Sequence, residues 1–533
     1  MLTPVSKPGI VLPGIDLNKG ECMSFICTVV ILLSAGSWQE NLDKLLEASS
    51  AKKQERLIEK ITEDASWLEI RDYLEGLAFP KESTDTVLLR KTMCIDGVER
   101  SWILYVPPLY DPTQPTPLLV NPHGGVGRAE PIPDSSAFEY MGENVFRKMA
   151  QENGWLMLFP FGQYGATWWD SVGMANINNL VRMVKTEFNV DDDRVWMGGY
   201  SDGASACFAW GMLDPTDYAA FLALSGHIGV GSLDGGLDTY APNLANTPTY
   251  AVTSFEDELY PSVKMGPTVK MAQDAGGDIY YREQEGHHDF SYAEDEYDRL
   301  VTFLNRHPRD PLSPEITWET ADVKFGKCRW FAIDDVDKEV EPAVWHVDYN
   351  ATLVNERVTI GFNVPEYEGE GVKVGKVFEG TAADSMGLEV DDVIIGAEGA
   401  EIKGMDDLNT YKGTKARGDS IHMTVIRADE EIELHGRLPD PTEYQVFIHE
   451  DTSARANVSF FANRIDVEGS RVNGFTVYVH PDMVRLEHPL IISYNGEEVF
   501  NGIVEPDASF MLKNYLVNRD RSLLYVTKVK IEL

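Results

Sequence analysis

Between residues 41 and 79, apolar side chains recur at helical spacing: Leu42, Leu45 and Leu46, then Leu57, Ile58 and Ile61, then Trp67, Leu68, Ile70 and Leu74. Lys52, Lys53, Glu55, Arg56, Glu59 and Lys60 fill intervening positions, so the stretch reads as a small amphipathic helical preface. Further on the rhythm changes to short apolar runs, which predict strands at 117–120, 155–159, 194–198, 249–253 and 278–282. Beyond Pro311 the chain turns strand-rich, with a run at 474–479 and a hairpin in which Asn495-Gly496 joins 491–494 to 498–500. One more apolar run, 23–33, ends in the small residues Ser34, Ala35, Gly36 and Ser37.

The run at 194–198 leads into Gly199-Tyr200-Ser201-Asp202-Gly203 and then a helix-like segment, which is the pattern of a nucleophile elbow. A serine at the tip of a tight strand-to-helix turn takes strained backbone angles, so its neighbours at plus and minus two must be small. Five residues alone match by chance in a chain with 44 glycines, so the partners decide the matter. Upstream, 117–120 runs into Pro122-His123-Gly124-Gly125, a loop whose amides can face an oxyanion together with the N–H of Asp202. Downstream, 249–253 is followed by Glu256, Asp257 and Glu258, among which Asp257 is the favoured acid. The strand 278–282 is followed by His287 and His288, of which His288 is slightly favoured as the base. A metal site is disfavoured there: adjacent histidines diverge, and neither a His-x-x-x-His helix nor a cysteine pair at zinc spacing occurs. No cofactor is implied.

Between loop and elbow lies an aromatic segment holding Trp168 and Trp169. Side chains alternate along a strand, so at least one of the two is expected to line the substrate pocket, with His123, or a lid; core packing beneath the loop is the alternative.

These motifs resemble the α/β-hydrolase superfamily, and within it carboxylesterases related to polyhydroxyalkanoate depolymerases and feruloyl or acetyl-xylan esterases, over about residues 86–309. The resemblance implies a doubly wound α/β sheet and two-step acyl transfer. Ser201 would be the nucleophile, His288 or His287 the base and Asp257 its orienting acid, with Gly124, Gly125 and Asp202 as the oxyanion hole. A second resemblance covers 356–438. Gly371-Val372, Gly380-Thr381-Ala382-Ala383, Met386-Gly387-Leu388, Asp391-Asp392-Val393 and Gly418-Asp419 fall in the order of a bacterial, protease-associated PDZ domain. Its peptide groove is expected at Ile360, Gly361 and Phe362, where a protein C-terminus would be captured; a purely architectural role is the alternative.

At 533 residues, with roughly 150 residues per domain, the chain holds several domains. The expected order is a signal peptide with an upstream extension over 1–37, helical segment 38–82, catalytic domain 83–312, and an all-β sandwich over 313–355 and 439–533 interrupted by the PDZ domain. The run at 23–33 is short of the about 20 residues that span a bilayer, so the mature chain is expected to lack a transmembrane anchor and to be periplasmic or extracellular. The only cation near that run is Lys19. With 46 basic against 86 acidic residues, the net charge of −40 disfavours nucleic acid as a partner. Five cysteines without paired spacing imply no disulfide framework. The expected substrate is a small-molecule or polysaccharide-linked ester. The rivals are a prolyl-oligopeptidase-like peptidase, against which no propeller repeat precedes the catalytic region, and a PDZ-based binding protein with an inactive hydrolase domain.

Overall fold

The computed structural model describes residues 37–79, 86–365 and 367–533. The leader expected over 1–37 lies outside the described residues but for its last position. Two compact units are present, Met1–Asp64 and Ala65–Leu533. In the first, helices Ser37–Leu46 and Ala51–Asp64 bury Leu42, Leu45, Leu57, Ile58 and Ile61. The second opens with helix Trp67–Glu75, started by a capping box in which Ser66 and Glu69 satisfy each other's backbone amides.

An eight-stranded sheet follows: β1 (Thr86–Met93), β2 (Glu99–Val106), β3 (Thr116–Val120), β4 (Leu156–Pro160), β5 (Val190–Tyr200), β6 (Ala220–Leu224), β7 (Thr249–Ser254) and β8 (Ile279–Gln284). Its order is β1-β2-β4-β3-β5-β6-β7-β8. β1 and β2 form an antiparallel hairpin and β2 meets β4 antiparallel, while β4, β3, β5, β6, β7 and β8 run parallel. A parallel sheet is covered by helices on both faces, which is why β4 and β6 are apolar and buried along their whole length. Two large cores flank it, one around Leu104, Val120, Met197 and Phe221, the other around Ile103, Leu119, Trp196 and Leu222. This is the α/β-hydrolase architecture, and the loops after β3, β5, β7 and β8 leave one sheet edge, where such sheets bind ligands.

Beyond the sheet the chain is mostly β. Strands Glu315–Thr320 and Phe331–Val336 pair with Ala454–Phe461 and Val472–Val479, so each half of a sandwich is made from both sides of the excursion between them. Trp318 and Trp330 are wholly buried between its two sheets. The predicted hairpin is Leu490–Tyr494 with Glu497–Gly502, and both Asn495 and Gly496 take positive φ, as a two-residue turn of this kind requires. The excursion leaves and returns through a two-stranded stalk, Thr352–Asn355 paired with Thr442–Gln445. Just beyond the stalk, Val446 and Phe447 are buried in the core of the catalytic sheet, and Asn350 holds Phe447 through its backbone N–H and carbonyl.

A buried ionic cluster joins sandwich to sheet. Asp520 accepts from Arg309 at 2.8 and 3.0 Å and from Lys185 at 3.1 Å. Arg309 also reaches Asp193, Lys185 reaches Asp192, and Arg521 donates to Asp192. Burial alone would protonate Asp520, but the two cations hold its carboxyl far below the usual range. Among the described residues, no helix is long and apolar enough to cross a membrane, and Cys94, Cys207 and Cys328 are free and buried.

Candidate active site

Ser201 ends β5 with φ 58° and ψ −119°, a conformation an L-residue keeps only when its surroundings enforce it, and the helix Asp202–Leu213 starts at the next residue. The enforcing contacts are close. A Cβ on Gly203 would lie 2.0 Å from the Pro122 carbonyl oxygen, and one on Gly124 would touch Ser201 Cβ at 3.2 Å. Glycine at these positions lets the loop after β3 seat directly against Ser201.

Two further loops complete the constellation. Asp257, after β7, has its Oδ1 fixed by the backbone N–H groups of Leu259 and Tyr260, at 2.8 and 2.6 Å. Its Oδ2 accepts from His288 Nδ1 at 2.8 Å, which leaves His288 Nε2 to accept from Ser201 Oγ at 3.0 Å. Burial pushes the Asp257 carboxyl up, but the bonds from His288 and the two amides outweigh it and hold the group below its ordinary value. The His288 ring lies between Tyr200, at 5.0 Å between centroids, and Tyr260, edge-on at 5.7 Å.

The neighbouring candidates lie elsewhere. His287 is exposed, its Nδ1 bonded to Glu258 at 2.7 Å, and that carboxylate raises the pKa of the ring. Glu256 accepts from the Gly286 amide, so neither glutamate reaches His288's ring. The doublet is therefore divided: one histidine faces the serine and its neighbour faces solvent.

Asp202 has a side-chain role that its place in the motif does not announce. Its carboxylate accepts from Val126 N–H at 2.8 Å, and burial raises its pKa in spite of that bond. Of the expected oxyanion residues, Gly124 packs against Ser201 and Asp202 opens the helix that follows it.

The aromatic pair calls for a correction. Trp168 and Trp169 are only 1% and 2% exposed and line neither of the cavities beside Ser201 and His288. Alternation does not apply to them because they sit in a loop ahead of helix Ser171–Glu187, not in a strand. Trp168 donates its Nε1–H to the His123 carbonyl at 2.8 Å and accepts from Trp210 through its own carbonyl; Trp169 donates to Asp234. Trp168 thus braces the loop after β3 from behind. His123 does the same: its Nδ1–H donates to the Gly124 carbonyl at 2.7 Å and its Nε2 accepts from Gly162 N–H at 3.0 Å. Burial lowers its pKa to about 4, so the ring is neutral at neutral pH.

Two cavities adjoin the site, one through Gly124 and Tyr200, the other through His288. One of about 230 Å³, lined by His123, Gly124, Tyr140, Phe146, Tyr200 and Phe290, is mainly apolar and lies on the oxyanion side. The other, about 650 Å³, begins at His288 and Glu258 and continues along the stalk to helix Met405–Gly413 of the excursion. Tyr140, Tyr200, Phe290 and the excursion's contribution were missed in the sequence, where only the adjacency of Tyr200 to Ser201 offered a signal. In the excursion, Gly361 takes φ 101° where a Cβ would collide with Thr381, and the Ile360 side chain is buried in the domain's own core. The Ile360 and Gly361 carbonyls accept from Ala383 and Phe378 amides, and Phe362 pairs with Val377.

Residues 358–436 match the family model of the PDZ domain. No curated protein sequence matches the chain. Among solved structures, a thermostable esterase is similar at 20% identity and TM-score 0.35, covering 42% of this chain, and the chain spans 64% of that protein's length. A fluorophosphonate-binding serine hydrolase of Staphylococcus aureus is 13% identical with TM-score 0.34, covering 41% of this chain and 98% of that one. The acylaminoacyl peptidase of Pyrococcus horikoshii is 14% identical with TM-score 0.35, covering 46% and 44%. At such scores these likenesses carry no weight of their own, and function rests on the site.

Proposed function

We propose that the chain is a carboxylic ester hydrolase working by acyl transfer through Ser201, His288 and Asp257. The observation that carries this reading is the unbroken relay from Asp257 Oδ2 through the His288 ring to Ser201 Oγ, at 2.8 and 3.0 Å, on a serine held at positive φ. His288 takes the Ser201 proton as Oγ attacks the carbonyl carbon. The amides of Gly124 and Asp202 stabilise the oxyanion, and Asp257 stabilises the imidazolium. The alcohol leaves with the proton from His288, and water then repeats the sequence on the acyl-serine. The small apolar cavity supports an acyl group of modest size. We also assign export to the chain, on the apolar run 23–33 with its small-residue end, and capture of a chain carboxylate to the PDZ domain.

The test is a panel of acetyl, feruloyl, glucuronoyl and peptide substrates offered to the full chain and to Ser201→Ala. Ester turnover that the substitution abolishes is expected. Turnover of peptides in preference to esters, or turnover that survives the substitution, would overturn the assignment.

A further inference from the structure

The cavity that starts at His288 ends on two cations that have no carboxylate to pair with among the described residues. Arg357 precedes the inserted domain and Lys412 lies on helix Met405–Gly413; both line the cavity. The other charges facing it are spoken for. Lys264 pairs with Glu356 at 2.7 Å, Lys415 pairs with Glu398, and Glu258 is bonded to His287 and to the His288 backbone. Lys412 reaches only Asn409, at 3.4 Å. Its half-buried ammonium is held below its ordinary pKa by desolvation and then by Arg357. Arg357, Lys412 and His288 line the same cavity. Two cations without a carboxylate partner among the described residues, at one end of a cavity that begins at His288, make a place where one carboxylate can accept from both.

Their position is fixed. The stalk is tied to the catalytic domain where Lys264 Nζ donates to the Val354 carbonyl at 3.1 Å and Tyr444 meets His227 Nε2 at 3.2 Å. At Gly229 the backbone approaches so closely that a Cβ would lie 2.0 Å from the Val446 carbonyl oxygen. The cavity is therefore a built feature of the fold.

Acyl-transfer chemistry says which half of the substrate lies there. The proton that His288 removes from Ser201 must pass from Nε2 to the departing oxygen, so the leaving group lies on the His288 side. We infer that Arg357 and Lys412 bind a carboxylate on the leaving group, and that the preferred substrates are esters of hydroxy acids with a modest apolar acyl group. This rests on the hydrolase reading above. In the acylation step the bond from Ser201 Oγ to the carbonyl carbon forms and the bond from that carbon to the hydroxy acid's oxygen breaks. That oxygen takes the proton from His288, and water releases the acyl group as its acid. The inserted domain thus supplies specificity to a reaction carried out on another domain.

The experiment compares 4-acetoxybenzoate with its neutral isostere 4-acetoxybenzamide, and 3-(4-acetoxyphenyl)propanoate with its amide, on the full chain. A 10- to 100-fold preference in kcat/KM for at least one carboxylate is expected, from about one or two hydrogen bonds to a charged group. It is carried mainly by KM and shrinks as salt is added. In R357Q/K412Q the ratio of carboxylate to amide collapses towards one, and in R357E it inverts. Equal turnover of both members of each pair by the wild type, or a preference unchanged in both variants, overturns the inference while leaving the hydrolase reading intact. Absence of Ser201-dependent turnover of any ester would sink both. A tetrapeptide with a free C-terminus that competes with the neutral esters, its amidated form not competing, in a wild type without carboxylate preference, would reassign the cations to a protein C-terminus and overturn the inference too.

Discussion

Asp202→Ala gives the sharpest local test of how the oxyanion loop is held. The substitution keeps the Asp202 backbone N–H and the elbow, and removes only the carboxylate that accepts from Val126. A hydrogen bond to a charged acceptor contributes about 1.5–3 kcal/mol, and that much loop positioning is at stake. Only the part that moves the Gly124 amide reaches the rate. The ceiling is set by complete loss of one oxyanion donor, about 10²–10³-fold in kcat. The braces behind the loop survive the change: His123 on Gly124 and Gly162, Trp168 on His123, and Tyr140 OH donating to the Gly124 carbonyl at 3.1 Å. A kcat loss of about 10²-fold follows, with KM within about threefold, because the lost interaction acts on the transition state. Asp202→Asn, whose neutral amide oxygen still accepts from Val126, falls between. Steady-state kinetics on a chromogenic acetate ester measures this, with fluorophosphonate labelling of Ser201 showing that the elbow is intact. Wild-type kcat in Asp202→Ala would refute the strut, and so would a loss confined to KM.

Other consequences are equally concrete. His288→Ala should cost about 10⁶-fold in kcat, the scale of losing a triad base, whereas His287→Ala, exposed and bonded to Glu258, should stay close to wild type; ester kinetics on the pair would disprove the assignment if the order reversed. Asp520→Ala leaves Arg309 with Asp193 and Lys185 with Asp192 but removes the carboxylate that both share, so the loss stays below the about 3–5 kcal/mol of a wholly unpaired buried charge and a lowered urea midpoint would register it; an unshifted midpoint would mean that the cluster does not hold sandwich to sheet. Acid should also destabilise the fold. His123, His227 and His480 are each pushed by burial to about 4, below the unfolded value of 6.5. Between those limits the unfolded chain carries a proton that the folded ring refuses, so stability is fully present above pH 6.5 and falls as pH drops towards 4, by about 1.4 kcal/mol per pH unit for each ring. Unfolding midpoints that stay flat from pH 7 to 4.5 would contradict this.

Much of the site was legible because its chemistry is local. The glycines around Ser201, the His-Gly-Gly turn after an apolar strand, and acids and histidines following two further strands are short patterns tied to strand ends. The Asn495-Gly496 hairpin was legible for the same reason, since positive φ is a property of those residues themselves. What escaped depends on contacts between distant segments. The Asp202 carboxylate acquires its role from Val126, on a loop after another strand. Trp168 and Trp169 were misread as a pocket wall because a two-residue period was applied to a loop. His287 and His288 differ only in which way a loop turns them, and no local pattern encodes that. The Asp520 cluster joins residues 211 and 335 positions apart, and the path of the stalk, which brings Arg357 and Lys412 to the cavity, has no one-dimensional signature.

Mass-spectrometric mapping after treatment with a fluorophosphonate probe tests the relay most directly. The account predicts a single adduct on Ser201, formed in the wild type and in His287→Ala and nearly absent in His288→Ala. An adduct on any other residue, or labelling of Ser201 as fast without His288 as with it, would contradict it.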